Sequence, residues 1–155
     1  MMRNSETLRK ASDHLYYEIW MFHSLVAGLA SGVAGEGPIC NAMVESFAIH
    51  TRNLADFFYP KRTRPDDVVA AHYFDSSDTW EKLCPPASEV LSAARKKADK
   101  EIAHLTYTRQ KVTPEKKPWR FVELSQQIQP AIDAFCRSVP KELLGERWNQ
   151  DQHEA

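Results

Sequence analysis

Histidine, arginine and acidic side chains interrupt two otherwise apolar helical patterns, Glu45 to Phe58 (ESFAIHTRNLADFF) and Asp99 to Arg109 (DKEIAHLTYTR). An ionisable group on a face that reads as core must be paired, hydrogen-bonded or put to chemical use, because burying it alone is costly. His104 is the best single candidate for chemistry. An imidazole gives or takes a proton near neutral pH, and Lys97, Lys100 and Arg109 offer local positive charge for a phosphate. Lys97, Glu101, His104 and Thr108 recur on one flank and would line a polar strip between helices.

Advancing about 100° per residue places His50 on the apolar face of Met43, Phe47, Leu54 and Phe57, with Asn53 at its margin. Glu45, Arg52 and Asp56 fall on the opposite face, where Arg52 and Asp56 are spaced to form an exposed ion pair one turn apart. His50 is therefore expected either as a buried imidazole bonded to a neighbouring helix or, with Arg52 and Asn53, as part of a polar site. Arg109 shares a face with Ala98, Ile102 and Leu105, and a guanidinium aimed inward there needs a carboxylate or carbonyl partner.

The elements that must position these groups are helical. Ser5 or Thr7 can cap a first helix running to about residue 31, with Leu8, Leu15, Ile19, Phe22, Val26 and Leu29 on one stripe. His14, Met21 and Leu25 add a second apolar patch, suited to core or to a dimer contact. Gly32, Gly35 and Gly37 break the chain, and Pro38 suits the first turn of a second helix reaching about Tyr59. Residues 66 to 74 read as a short helix, with a strand as the alternative, and Ser76 to Pro86 as a connector whose Trp80 covers a core edge. A third helix spans about 87 to 112. A fourth spans about 118 to 139, and Pro130 should kink or split it. The pattern predicts one all-α domain over residues 1–144, an antiparallel up-down-up-down four-helix bundle with a short helix or irregular segment between helices 2 and 3. The tail, 145–155, is expected to fray, with Trp148 a candidate for docking.

Composition narrows the function classes. At 155 residues, with 20 Lys and Arg against 21 Asp and Glu, the chain has no global basic field, so any polyanion site must be local. The basic residues gather at Lys61, Arg62 and Arg64, at Arg95, Lys96 and Lys97, and at Lys111, Lys116 and Lys117. Three scattered cysteines, Cys40, Cys84 and Cys136, argue against a disulfide framework and fit a reducing cytoplasm. The first residues read as neither a signal core nor a transit peptide, and no stretch has the length of a membrane span. GVAGEG lies between two predicted helices, which argues against a phosphate-binding P-loop, and GxSxG, HExxH and catalytic-cysteine signatures are absent.

The IAHLTY segment, with His104 in a late helix behind charged residues, resembles the HEPN superfamily, helical bundles that include toxin and abortive-infection ribonucleases as well as purely binding members. The resemblance covers roughly residues 5 to 139 as a fold. It implies a metal-independent RNA chemistry in which the histidine moves a proton at the ribose hydroxyl and an arginine holds the scissile phosphate, usually across a dimer. In the family the arginine precedes the histidine with four to six positions intervening. Here those positions hold Asp99, Ala98 and Lys97, so only His104 carries over directly and Lys97 is a weak substitute. Arg52 and Asn53, beside His50, could refill the role in space. On this reading the site draws on His104, Arg52 and His50 for catalysis and on Asn53, Lys97, Glu101 and Arg109 for binding. RNA, a second copy of the chain and a protein partner such as an antitoxin are the implied partners.

Two rivals remain. Glu101 and His104 form one Glu-x-x-His, a spacing used by carboxylate di-metal bundles, but a second copy and further inward glutamates are missing, so neither metal nor cofactor is expected. A non-enzymatic interaction scaffold would use His50, Glu101 and Arg109 only to fix helix register.

Overall fold

In a computed structural model of the chain, residues 4–103, 107 and 118–150 are described, and they are helical with no strand among them. Helix α1 (Ser5–Ala30) begins at Asn4, whose side chain accepts from the Thr7 backbone N–H at 2.9 Å, an N-cap one residue ahead of the serine expected. Left-handed Gly32 (φ 70°) and Gly35 (φ 58°) turn the chain, and α2 (Pro38–Phe58) starts with its proline in the first turn. These two helices match the sequence reading closely.

The next stretch departs from it in an instructive way. Residues 66 to 74 supply only a 3-10 turn, Ala70–Tyr73, which resolves the helix-or-strand ambiguity in favour of one helical turn. That turn is anchored by the buried Tyr73 hydroxyl, which donates to the Leu8 carbonyl at 2.9 Å. The expected connector contains a real helix, α3 (Ser77–Leu83). Seven residues are too few to show a 3.6-residue period, and α3 is held from outside: the buried Trp80 indole donates to the Phe58 carbonyl at 3.0 Å.

The third long helix is shorter as an α-helix than its periodicity suggests. α4 (Glu89–Lys97), capped by Ser88 onto the Leu91 N–H, passes into a π-helical turn over Ala98–Ala103. Wider turns delay the rotation of side chains, so a face counted at the α-helical period does not continue unchanged through this segment. α5 (Phe121–Ser138) runs unbroken through Pro130, so of the kink or split expected there the split does not occur. Pro130 lies on the exposed side, where water can serve the carbonyl that lost its N–H partner.

α1 packs along α2 and also meets α5, while α4 lies against α2 and α5. Phe22, Phe47, Phe57, Phe58, Tyr73, Trp80 and Phe135 fill the space between, with Phe135 edge-on to Phe57, Tyr73 and Trp80. Leu25 is buried and Met21 half-buried against this core, so the second patch on α1 is largely ordinary packing.

Residues 145–150 do not trail free. Gly145 N–H donates to the Ser12 hydroxyl at 2.7 Å, Arg147 N–H to Asp13 at 3.1 Å, and the Trp148 indole to the Ser12 carbonyl at 2.9 Å. A last helical turn, α6 (Arg147–Gln150), follows a 3-10 turn, Lys141–Leu143, and brings Trp148 edge-on to Tyr16. Positions 151–155 of the expected tail lie outside the described residues.

Candidate functional site

The charged residues of α2 and of the α4 to π-helical segment interlock. Arg52 and Asp56 lie one turn apart on α2, and Arg95 and Asp99 repeat the same order and spacing on the facing segment. Arg52 Nε sits 2.7 Å from Asp99 Oδ1 and 3.7 Å from Asp56 Oδ2, and Arg95 pairs with Asp56. Arg95 Nη1 also donates to the Tyr59 carbonyl at 3.1 Å, placing a cation at the C-terminus of α2, where the helix dipole favours it. Arg52 Nε, Asp56 Oδ1 and Asp99 Oδ1 are buried atoms held by charge rather than by aligned hydrogen bonds. Burial pushes the Asp56 carboxyl above its ordinary range, and the guanidiniums of Arg95 and Arg52 pull it back.

Arg52, Asp56 and Arg95 of this network form the floor of a groove of about 630 Å³ walled on its other side by the 60–69 loop. Arg62 and Arg64 join Arg52 and Arg95 there, so four guanidiniums line the groove against the carboxylates of Asp56 and Asp67. The loop is shaped by Asp67, which accepts the Arg64 backbone N–H at 2.7 Å. Arg62 and Arg64 make no ion pair among the described residues, which leaves their planar donor forks available to an oxyanion.

His50 and Asn53 serve a second cluster. His50, 8 % exposed, sets Nδ1 at 2.6 Å from Glu18 Oε2, and Asn53 Nδ2 donates to the same oxygen at 3.1 Å. An ionised carboxylate can only accept, so Nδ1 carries the proton in this pair. The buried-imidazole expectation for His50 is the arrangement seen. Asn53 spans both clusters, since it also lines the arginine groove.

Lys97 and Glu101 stand apart from the groove and 3.9 Å from each other. Lys97 Nζ donates to the Pro118 carbonyl at 3.3 Å and lies 4.9 Å from the centre of the Trp119 ring. Burial lowers its pKa, while Glu101 opposes the shift. The roles assigned to His104 and Arg109 fall on positions outside the described residues. Among the described residues, no three His, Cys, Asp or Glu side chains gather as metal ligands, and no helix is long and apolar enough to cross a membrane.

Of the residues singled out in sequence, Arg52 and Asn53 reach the groove, His50 backs it through Asn53 and Glu18, and Lys97 and Glu101 do not. Arg95, Asp99, Glu18, Arg62 and Arg64 join the two clusters without a site role in the sequence pattern. The signal for the first two was present as the repeated arginine-to-acid spacing on two helices. The contribution of Glu18 comes from α1 and has no local signature. No protein-family model, curated protein or solved structure matches this chain.

Proposed function

We propose that the chain is an RNA-directed protein of HEPN-like, antiparallel four-helix design, in which the arginine groove seats the phosphates of a single strand. The observation that carries this reading is the convergence of Arg52, Arg62, Arg64 and Arg95 on one groove in a chain of net charge −1. Positive charge that is absent from the whole but concentrated in one concavity favours a local polyanion contact. Helices α1, α2, α4 and α5, each in contact with two or more of the others, provide a frame consistent with that design. A cytoplasmic setting, a two-fold dimer and a protein partner such as an antitoxin belong to the same proposal. Proton transfer by His104 would make the protein a metal-independent ribonuclease.

Fluorescence anisotropy with a labelled single-stranded RNA tests the binding. Saturable binding that weakens with salt is expected, and the Arg62→Ala/Arg64→Ala variant should bind about tenfold more weakly with an unchanged circular dichroism spectrum. No binding, or binding indifferent to this double variant, overturns the reading. RNA cleavage in EDTA, lost in a folded His104→Ala variant, tests the chemical step, and retained cleavage removes that histidine from it.

A scaffold role is the second reading, favoured by the fact that Arg52 and Arg95 already meet Asp99 and Asp56. It predicts that a protein partner, not RNA, binds the groove.

A further inference from the structure

Across the 60–63 segment from the arginine groove lies a second concavity of about 690 Å³. Its volume is within the roughly 300–1,000 Å³ typical of small-molecule sites. Tyr59 and Phe74, both half-buried, supply aromatic wall backed by the buried Phe58 and Trp80, while Ser76 and Ser77 supply hydroxyls at the start of α3. Pro60, Arg62, Thr63 and Val69 line both spaces, so this cavity, part aromatic and part polar with the Asp75 and Glu81 carboxylates at its edge, shares a wall and the Arg62 side chain with the cationic groove.

From this juxtaposition we infer that the cavity receives an unstacked nucleobase of the same single strand whose adjoining phosphate lies on Arg62 in the groove. The inference rests on the RNA-directed reading and adds how that strand is held. A polynucleotide repeats a flat, largely apolar ring beside an anion, and these two adjoining spaces repeat the same pairing of surfaces. Aromatic walls accept any base face, which makes the contact tolerant of sequence, and the phosphate sets the register. The hydroxyls of Ser76 and Ser77 can donate to or accept from a base edge. The half-buried Cys84 thiol, raised by burial, contributes neutral surface to the same cavity and not a thiolate that would repel the strand.

The test uses the full chain and two RNA tetranucleotides with identical phosphates, one intact and one with an abasic nucleotide at its second position. The intact strand should bind at least about tenfold more tightly, the order expected for one stacked base. Pro86→Trp, an exposed position lining the cavity and not the groove, should abolish that difference while leaving binding of the abasic strand unchanged. Pro85→Trp provides a second obstruction if Pro86→Trp does not fold. Equal binding of both strands by the wild type overturns the base pocket and leaves the phosphate groove standing. A difference that survives both obstructions also overturns it. No binding of either strand overturns the RNA reading and this inference together. A nucleoside 5′-monophosphate titrated alone forms the remaining arm, and binding as strong as that of the tetranucleotide overturns the assignment to a strand in favour of a free nucleotide.

Discussion

Arg52 Nε meets Asp99 Oδ1 at 2.7 Å, and the acid occupies one of the positions where the family resemblance calls for an arginine. The departure in sequence is thereby matched by a contact in space: the carboxylate that would repel a phosphate is engaged by a guanidinium from another helix. Freeing that guanidinium should strengthen anion binding. Asp99→Asn is expected to raise RNA affinity several-fold in anisotropy titrations. Both side chains are more than a third exposed, so its unfolding free energy in urea should change by less than about 1 kcal/mol. Weaker RNA binding in this variant would show that the pair positions Arg52 rather than masking it.

Removal of the Glu18 carboxylate leaves the buried His50 Nδ1–H and the Asn53 amide without their shared acceptor. Glu18→Ala should therefore destabilise the fold by about 1–3 kcal/mol, read from denaturant midpoints at constant m-value. The paired variant Glu18→Ala/His50→Leu should recover part of the loss, because an apolar side chain at position 50 has no donor to strand. Equal stability of wild type and Glu18→Ala would mean that water replaces the carboxylate at no cost.

The pH dependence of Asp56 has a definite sign. Burial raises its folded-state pKa above the 3.8 of the free side chain, so the native state holds its proton to higher pH than the unfolded chain does. This contribution to stability is fully present below 3.8 and is lost as pH rises through the raised value. Asp56→Asn lacks it. Relative to wild type, the variant should gain stability as pH rises from about 4 toward neutrality, measured by urea melts across that range. A difference that is flat or of opposite slope would show that Arg95 and Arg52 dominate the site.

Gly145 approaches α1 so closely that a methyl group at its Cα would collide with the Asp13 carboxylate, and Trp148 then docks over Ser12. Gly145→Ala should force Asp13 aside and loosen this strap, and Trp148→Ala should cost about 1–3 kcal/mol, less than a fully buried tryptophan because Trp148 is only partly buried. Thermal or urea unfolding of both variants checks this. Unchanged stability in Trp148→Ala would reduce the segment to a passive appendage.

Much of the architecture was legible in residue order because long amphipathic helices announce themselves locally: the stripe from Leu8 to Leu29, the glycine break and Pro38 bound α1 and α2 nearly to the residue. Segments stabilised from a distance were not legible. α3 depends on the Trp80 indole reaching Phe58, and the final turn on Ser12 and Asp13, partners separated by far more residues than any periodic pattern spans. The π-helical turn after Lys97 likewise has no signature in the local residue pattern.

The same division runs through the site. Side-chain chemistry is a property of composition, so Arg52, Asn53 and His50 stand out from residue order alone. Whether a charge lies free, paired or pointed into a cavity depends on which helix faces it. Only folding brought Asp99 to Arg52, Glu18 to His50, and Arg62 to the wall between a cationic groove and an aromatic cavity. Hydrogen bonds and close ion pairs need their partners within a few ångströms, whereas the residues that satisfy them are separated by tens of positions along the chain.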